Sequence, residues 1–279
     1  MRIGMIQIRV TNALKENVKQ ALDSIAKCAE QQADLCILPE LWNTPFINSE
    51  IIRHDDEWEQ IIPLLQEACQ KHQVWLAAGT MPCRDASGRL YNRCAMISDR
   101  GEIVRTCDKL HLLEVHTSNS TYRESDVFAC GQELVQIDLP WTKAGVLICF
   151  DIRFPEAARL VCRNARLLIV CAAFNEQVGK KHWKNLLCTR AMENEVFVAG
   201  VNPAEKDYQT YRSYGHSMIC SPDGQTVYEM GPDEPWAVVE IDLQEADRIR
   251  KRSPFWKLRR TDLYSLKKSE EKSDEENQF

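Results

Sequence analysis

Residues 143–201 read KAGVLICFDIRFPEAARLVCRNARLLIVCAAFNEQVGKKHWKNLLCTRAMENEVFVAGV, and the order of segments in this stretch decides the fold class. Three short apolar runs, 143–149 (KAGVLIC), 167–171 (LLIVC) and 196–201 (VFVAGV), have the length and composition of buried strands. Between them, 155–163 and 181–193 read as helices. A β-α-β-α-β order follows, and such alternation belongs to α/β proteins.

The N-terminal half repeats the theme. Residues 2–10 read as a buried strand, and Leu14, Val18, Ala21, Leu22, Ile25 and Ala29 then recur at helical spacing. A short apolar strand over 35–38 ends at Pro39-Glu40. Ile61, Ile62, Leu65, Ala68 and Cys69 mark a second helix, and 74–80 (VWLAAGT) returns to a strand. Each half closes on a hairpin: YNRCAMISDRGEIVRTCD (91–108) turns at Asp99-Arg100-Gly101, and HSMICSPDGQTVYEM (216–230) turns at Pro222-Asp223-Gly224. This weak internal duplication predicts two similar mixed sheets, each with helices on its outer face, stacked as a four-layer αββα sandwich. No Gly-, Ser- or Pro-rich linker divides the chain, so one domain is expected over 1–266. Residues 267–279 (KKSEEKSDEENQF) are charged and poor in apolar side chains, as in a mobile tail.

A net charge of −6 over 279 residues argues against a nucleic-acid surface, which needs clustered Lys and Arg. The basic stretch 248–260 (RIRKRSPFWKLRR) is expected to be a partly packed terminal segment. The longest apolar runs, such as 167–174 (LLIVCAAF), are too short to span a bilayer, and the N-terminus has no long apolar segment. The twelve cysteines are scattered with no CxxC pair, so most are expected to be reduced, buried, small apolar residues of a soluble cytoplasmic protein.

Three polar residues stand directly after strand segments: Glu40, Lys109 and Cys149. Ligands collect at the carboxyl ends of strands in α/β sheets, so the three can converge on one cleft. Cys149 has the context of a nucleophile elbow, an apolar strand that stops and resumes as FDIRFP before a helix. A thiol needs a base to become the attacking thiolate, and a buried Glu40 suits that task. Lys109 can supply fixed positive charge to an oxyanion. The six histidines form no HExxH pattern and no metal-like pairing with cysteine, so no metal site is expected. Neither GxGxxG nor a Walker loop is present. A Cys/His dyad through His111 or His216 is the rival enzyme reading, and an interaction module without chemistry the rival non-enzyme one.

Read together, Leu38-Pro39-Glu40, Asp108-Lys109-Leu110-His111 and Ile148-Cys149-Phe150-Asp151-Ile152-Arg153-Phe154-Pro155-Glu156 resemble the nitrilase superfamily of carbon–nitrogen hydrolases across nearly the whole chain. Ala173-Phe174-Asn175, His182-Trp183, Arg190–Asn194, Tyr214–Ser217 and Arg260–Tyr264 extend the resemblance. It implies Glu40 as base, Lys109 as oxyanion stabiliser, Cys149 as nucleophile, and Glu124, in Tyr122-Arg123-Glu124-Ser125, as a second glutamate that orients substrate or water. It implies substrate contacts from the backbone N–H of Phe150 and from Phe174 and Asn175, no cofactor, a small-molecule amide substrate, and a homodimer to which the segment after Ile241 contributes.

The chain looks nearest to the omega-amidase and deaminated-glutathione-amidase branch, with nitrilase and N-carbamoyl hydrolase activities as alternatives. Cys171-Ala172 and Cys130 depart from that branch's usual residues. A substrate carboxylate requires a cation, and Arg153, as a substrate-binding residue, and Arg212 are the candidates by their nearness in sequence to these motifs.

Overall fold

The computed structural model describes residues 1–116 and 121–267. Its first half runs β1 (Arg2–Ile6), α1 (Leu14–Glu30), β2 (Leu35–Ile37), α2 (Asn48–Arg53), α3 (Trp58–His72), β3 (Trp75–Ala77), β4 (Met81–Arg84), β5 (Leu90–Ile97) and β6 (Ile103–Asp108). Strands β7 (Glu114–His116) and β8 (Thr121–Arg123) then form a two-stranded ribbon. The second half runs β9 (Gln136–Asp138), β10 (Lys143–Ile148), α4 (Pro155–Val161), β11 (Leu167–Cys171), α5 (Glu176–Asn194), β12 (Phe197–Val201), β13 (Met218–Cys220), β14 (Thr226–Glu229), β15 (Trp236–Glu240), α6 (Gln244–Arg252) and α7 (Phe255–Leu258).

The duplication read from the sequence is visible in the pairing. Strands β1, β2 and β3 lie parallel and continue into the antiparallel β5, which β4 and β6 flank. Strands β10, β11 and β12 lie parallel and continue into the antiparallel β13 and β14. With β15 beside β1 and β9 beside β10, one sheet has seven strands and the other six. Both expected hairpins form, with left-handed glycines at the turns (Gly101 φ 76°, Gly224 φ 84°).

Side-chain alternation explains the layering. In the first sheet Ile3, Met5, Leu35, Ile37, Ala77, Cys94 and Met96 pack into one core with Val146, Ile148 and Ile169 of the second sheet. Their neighbours Ile6, Cys36, Leu76, Ala95 and Ile97 point the other way, into a separate core with Ala21 and Ile25 of α1 and Ile61 and Leu65 of α3. A strand buried on both faces must be apolar at every position, which is why these segments read as continuous apolar runs. Helices α4 and α5 cover the second sheet through Ala158, Val161, Trp183, Leu187 and Ala191. The result is the expected αββα sandwich.

Three differences from the sequence reading have physical causes. Strand β1 ends at Ile6, and residues 7–10 continue irregularly, tied by Gln7 to the carbonyls of Gly231 and Glu234. Helix α5 begins at Glu176, five residues earlier than read, because Asn175 caps it by accepting from Val178 N–H (3.0 Å). Strand β15, which the sequence reading did not include, closes the first sheet antiparallel to β1. The basic stretch forms α6 and α7, with Arg250 donating to the Ala165 carbonyl. Ten of the twelve cysteines are buried, Cys188 is half-buried and Cys130 exposed. The tail read over 267–279 lies outside the described residues apart from Lys267.

Candidate active site

Glu40, Lys109 and Cys149 meet at the carboxyl ends of β2, β6 and β10. The Glu40 N–H donates to Ala172 O just past β11 (3.1 Å), which locks the end of one sheet against the end of the other. The approach is held by Gly79, whose φ is 60° and where an added Cβ would stand 2.1 Å from Pro39 O, so no other residue fits.

Lys109 is buried with Glu40 and Glu124. Its Nζ donates to Glu40 Oε1 (2.7 Å) and to Glu124 Oε1 and Oε2 (2.8 and 2.7 Å). Asn92 on β5 donates through Nδ2 to Glu40 Oε1 (2.8 Å) and Glu124 Oε1 (3.3 Å), and Leu113 N–H donates to Glu124 Oε2 (2.7 Å). Glu40 Oε2 is buried and unpartnered among the described residues.

Burial raises the Glu40 carboxyl above its ordinary range, a rise that the Lys109 charge opposes and that of Glu124 reinforces. Burial alone would lower the Lys109 ammonium, but Glu124 and Glu40 overcome it and hold the proton well above the ordinary lysine value. Burial, then the Glu40 charge, lift the Cys149 thiol well above its ordinary value, with Lys109 opposing. The resting sulfur is thus a neutral thiol beside a carboxylate suited to take its proton.

Cys149 itself has φ 45°, a left-handed conformation that is costly for a side chain other than glycine and typical of a nucleophile held on a tight strand-to-helix turn. It opens a 3₁₀ turn, Cys149–Arg153, that places Phe150 N–H at the turn's start. Asp151, buried, fixes the elbow. It accepts from Ile148 N–H (3.1 Å) on one side, and from His111 N–H (2.8 Å) and His111 Nδ1 (2.8 Å) on the other. One carboxylate therefore ties the nucleophile turn to the loop carrying Lys109.

Arg153 is partly exposed, with its guanidinium 5.7 Å from the Phe150 ring centre and 5.5 Å from that of Phe174, and both Nη atoms 3.3 Å from His182 Nδ1. Phe174 is buried against Trp183. The Asn175 side-chain oxygen is occupied as the α5 cap. Arg212 forms ion pairs with Glu205 (3.1 Å), Asp207 (3.2 Å) and Glu176 (3.9 Å), so its charge is already neutralised. His111 is engaged by Asp151 and stacked on Phe154, and His216 faces Glu229 Oε1 (3.2 Å), so both histidines of the rival dyad reading already have carboxylate partners.

Asn92 and Asp151 escaped the sequence reading. An Asn near the start of the strand-like YNRCAMI was the available signal for the first, since Asn is depleted in strands. For the second it was a short acid two residues past the nucleophile.

A model of the carbon-nitrogen hydrolase family matches residues 2–251. "Nitrilase homolog 2" of Dictyostelium discoideum is 34% identical over 265 residues, 94% of this chain and 81% of that protein. Human "Omega-amidase NIT2" is 32% identical over 272 residues, 95% of this chain and 97% of that protein. The crystal structure of the C. elegans NitFhit protein superposes with a TM-score of 0.90 at 29% identity, over 97% of this chain and 68% of that one. With its fold, its strand-end residues and these likenesses in agreement, the chain belongs to the carbon–nitrogen hydrolase family of the nitrilase superfamily, enzymes that hydrolyse carbon–nitrogen bonds.

Proposed function

We propose that the chain hydrolyses the terminal amide of a small carboxylate-bearing acid, an ω-amide, to the acid and ammonia through a thioester on Cys149. The observation that carries this reading is the buried Glu40–Lys109–Glu124 cluster at the Cys149 turn, in which Glu40 Oε2 alone of the four carboxylate oxygens has no nitrogen donor among the described residues. Glu40 takes the thiol proton, and the sulfur attacks the amide carbon. Charge developing on the amide oxygen is met by the Lys109 charge and the Phe150 N–H. The intermediate collapses as Glu40 protonates the departing ammonia. Glu40 then activates a water, oriented by Glu124, that hydrolyses the thioester.

Arg153 has no carboxylate partner among the described residues and lies over Phe150 and Phe174, which suits it to receive the substrate's carboxylate. Arg212, with three acidic neighbours, does not suit that role. The name of the human relative supports the substrate class.

The test is ammonia release from a panel of ω-amides, deaminated glutathione, nitriles and N-carbamoyl compounds, with Cys149→Ala and Glu40→Gln as controls. Preference for ω-amides, loss of turnover in both variants, and an acyl adduct on Cys149 by mass spectrometry are expected. Silence across the panel with no adduct refutes the reading and favours an interaction module.

The same proposal covers one domain over 1–266 and a cytoplasmic homodimer. Phe255, Leu258, Leu263 and Tyr264 are apolar and exposed in the C-terminal segment, as an interface contribution requires. Sedimentation of a chain truncated at Leu243 tests it, and a truncated protein that stays dimeric and soluble removes that contribution. Among the described residues no helix is long and apolar enough to cross a membrane.

A further inference from the structure

A hydrogen-bond count at the cleft leaves one demand unmet. An ammonium has three hydrogens, and those of Lys109 face three carboxylate oxygens: Glu40 Oε1, Glu124 Oε1 and Glu124 Oε2. Lys109 can therefore act on an oxyanion through its charge, while none of its hydrogens is free to bond one. The Phe150 N–H is then left as the donor at the Cys149 turn, and a preorganised oxyanion site ordinarily has at least two.

The cleft holds a further donor. Tyr122 on β8 has its phenol oxygen buried and without a partner among the described residues. Its ring packs 6.0 Å from that of Phe46, and the Phe46 ring lies 5.6 Å from Lys109 Nζ. Two residues later the same segment delivers Glu124 to Lys109. Burying a hydroxyl with nothing to bond is unfavourable, so an unpartnered phenol beside this cluster fits one whose partner is supplied with substrate.

We infer that the Tyr122 hydroxyl is a catalytic residue of this site, donating a hydrogen bond to the oxyanion that forms when the Cys149 sulfur attacks the substrate carbonyl. The inference rests on the thioester reading above. The hydroxyl stays protonated and able to donate, because burial and then the charge of Glu124 hold it well above the ordinary tyrosine range; Lys109, Glu40 and Cys149 are also close enough to act on it. No proton leaves Tyr122 in the step. The C=O π pair moves to oxygen as the C–S bond forms, and returns when the leaving group departs.

The test is Tyr122→Phe in the full chain, assayed with succinamate and, separately, with p-nitrophenyl acetate, whose nitrophenolate burst reports acylation of Cys149. An interaction made only in the transition state predicts that kcat falls about 100-fold, with KM within about threefold. The nitrophenolate burst rate should fall by a similar factor. The melting temperature should be unchanged or raised, because an unpartnered buried hydroxyl has been removed.

Rates within about threefold of the parent on both substrates overturn the inference, as does a loss confined to KM. A parent chain that acylates with the ester but releases no ammonia from amides sinks the amidase reading, and the burst rate of Tyr122→Phe still decides this one. A parent that acylates with neither sinks both.

Discussion

Replacing Lys109 by Met should cost both stability and turnover, and a second substitution should separate the two. The buried cluster holds two carboxylates and one ammonium, with all three Lys109 contacts at 2.7–2.8 Å. Met fills most of the lysine's volume but leaves Glu40 and Glu124 buried without a cation. Removing one partner of such a buried network costs about 3–5 kcal/mol. For a chain of this size that is a fall in melting temperature of roughly 6–20 °C, taking about 2–4 °C per kcal/mol.

Adding Glu124→Gln returns the cluster to a single buried carboxylate, so the double variant should regain at least half of the lost stability. Turnover should not return. The charge that meets the oxyanion is gone, and Glu40 has lost the ammonium that opposes its protonation. A loss of at least about 10²-fold is expected in both variants, the lower end of what a group stabilising an oxyanion contributes. Thermal melts at neutral pH and an ammonia-release assay on the single and double variants read the two effects independently. A single variant as stable as the parent, or a double variant no more stable than the single, would refute the charge accounting.

The pH profile follows from the same cluster. Glu40 must be unprotonated to act as base, and its pKa is raised above the ordinary 4.5, so kcat/KM should climb with pH through a midpoint above that value; an acid limb at or below it contradicts a buried Glu40 base. Asp151→Asn should lower kcat about 10–100-fold, because an amide cannot accept from both Ile148 and His111 without turning an N–H toward one of them, and a small misplacement of Lys109 against Cys149 is costly. His111→Ala removes one contact of that carboxylate and should cost less than Asp151→Asn; the reverse order in kcat would make His111 the more important group. Gly79→Ala should lower stability by more than about 1–3 kcal/mol, the cost of its left-handed φ alone, and depress turnover together, since its Cβ would also displace Pro39, the residue before Glu40; chemical denaturation and the amide assay check both.

What could be read from the sequence is what local pattern encodes. The doubly buried strands announced themselves as unbroken apolar runs, and the hairpins through Gly101 and Gly224, whose positive φ only glycine adopts freely. The repeated order of elements placed Glu40, Lys109 and Cys149 at equivalent strand ends. Strand β15 was not legible, because WAVVE is short and its partner β1 lies more than two hundred residues earlier in sequence. Asn92, Asp151 and Tyr122 were passed over for a related reason. Each acts on, or lies beside, groups from other segments, and the local signals it carries do not say which groups those are.

The duplication also explains why the site forms between the halves rather than within one. The first half carries Glu40 and Lys109 on a seven-stranded sheet and the second carries Cys149 on a six-stranded one, so neither half holds both the proposed base and the sulfur it would deprotonate. Glu124 enters from the segment joining them. The two sheets meet through an apolar core that fixes their separation but is insensitive to small slides along it. Registry at the scale of a proton transfer needs directional contacts, and two of those between the halves are the Glu40 N–H to Ala172 O bond and the Asp151 carboxylate joining His111 to Ile148. Both join one half to the other, and both lie beside the reacting groups. Substitutions at this seam should therefore reduce kcat more than they reduce stability, whereas substitutions in the apolar core between the sheets should do the opposite.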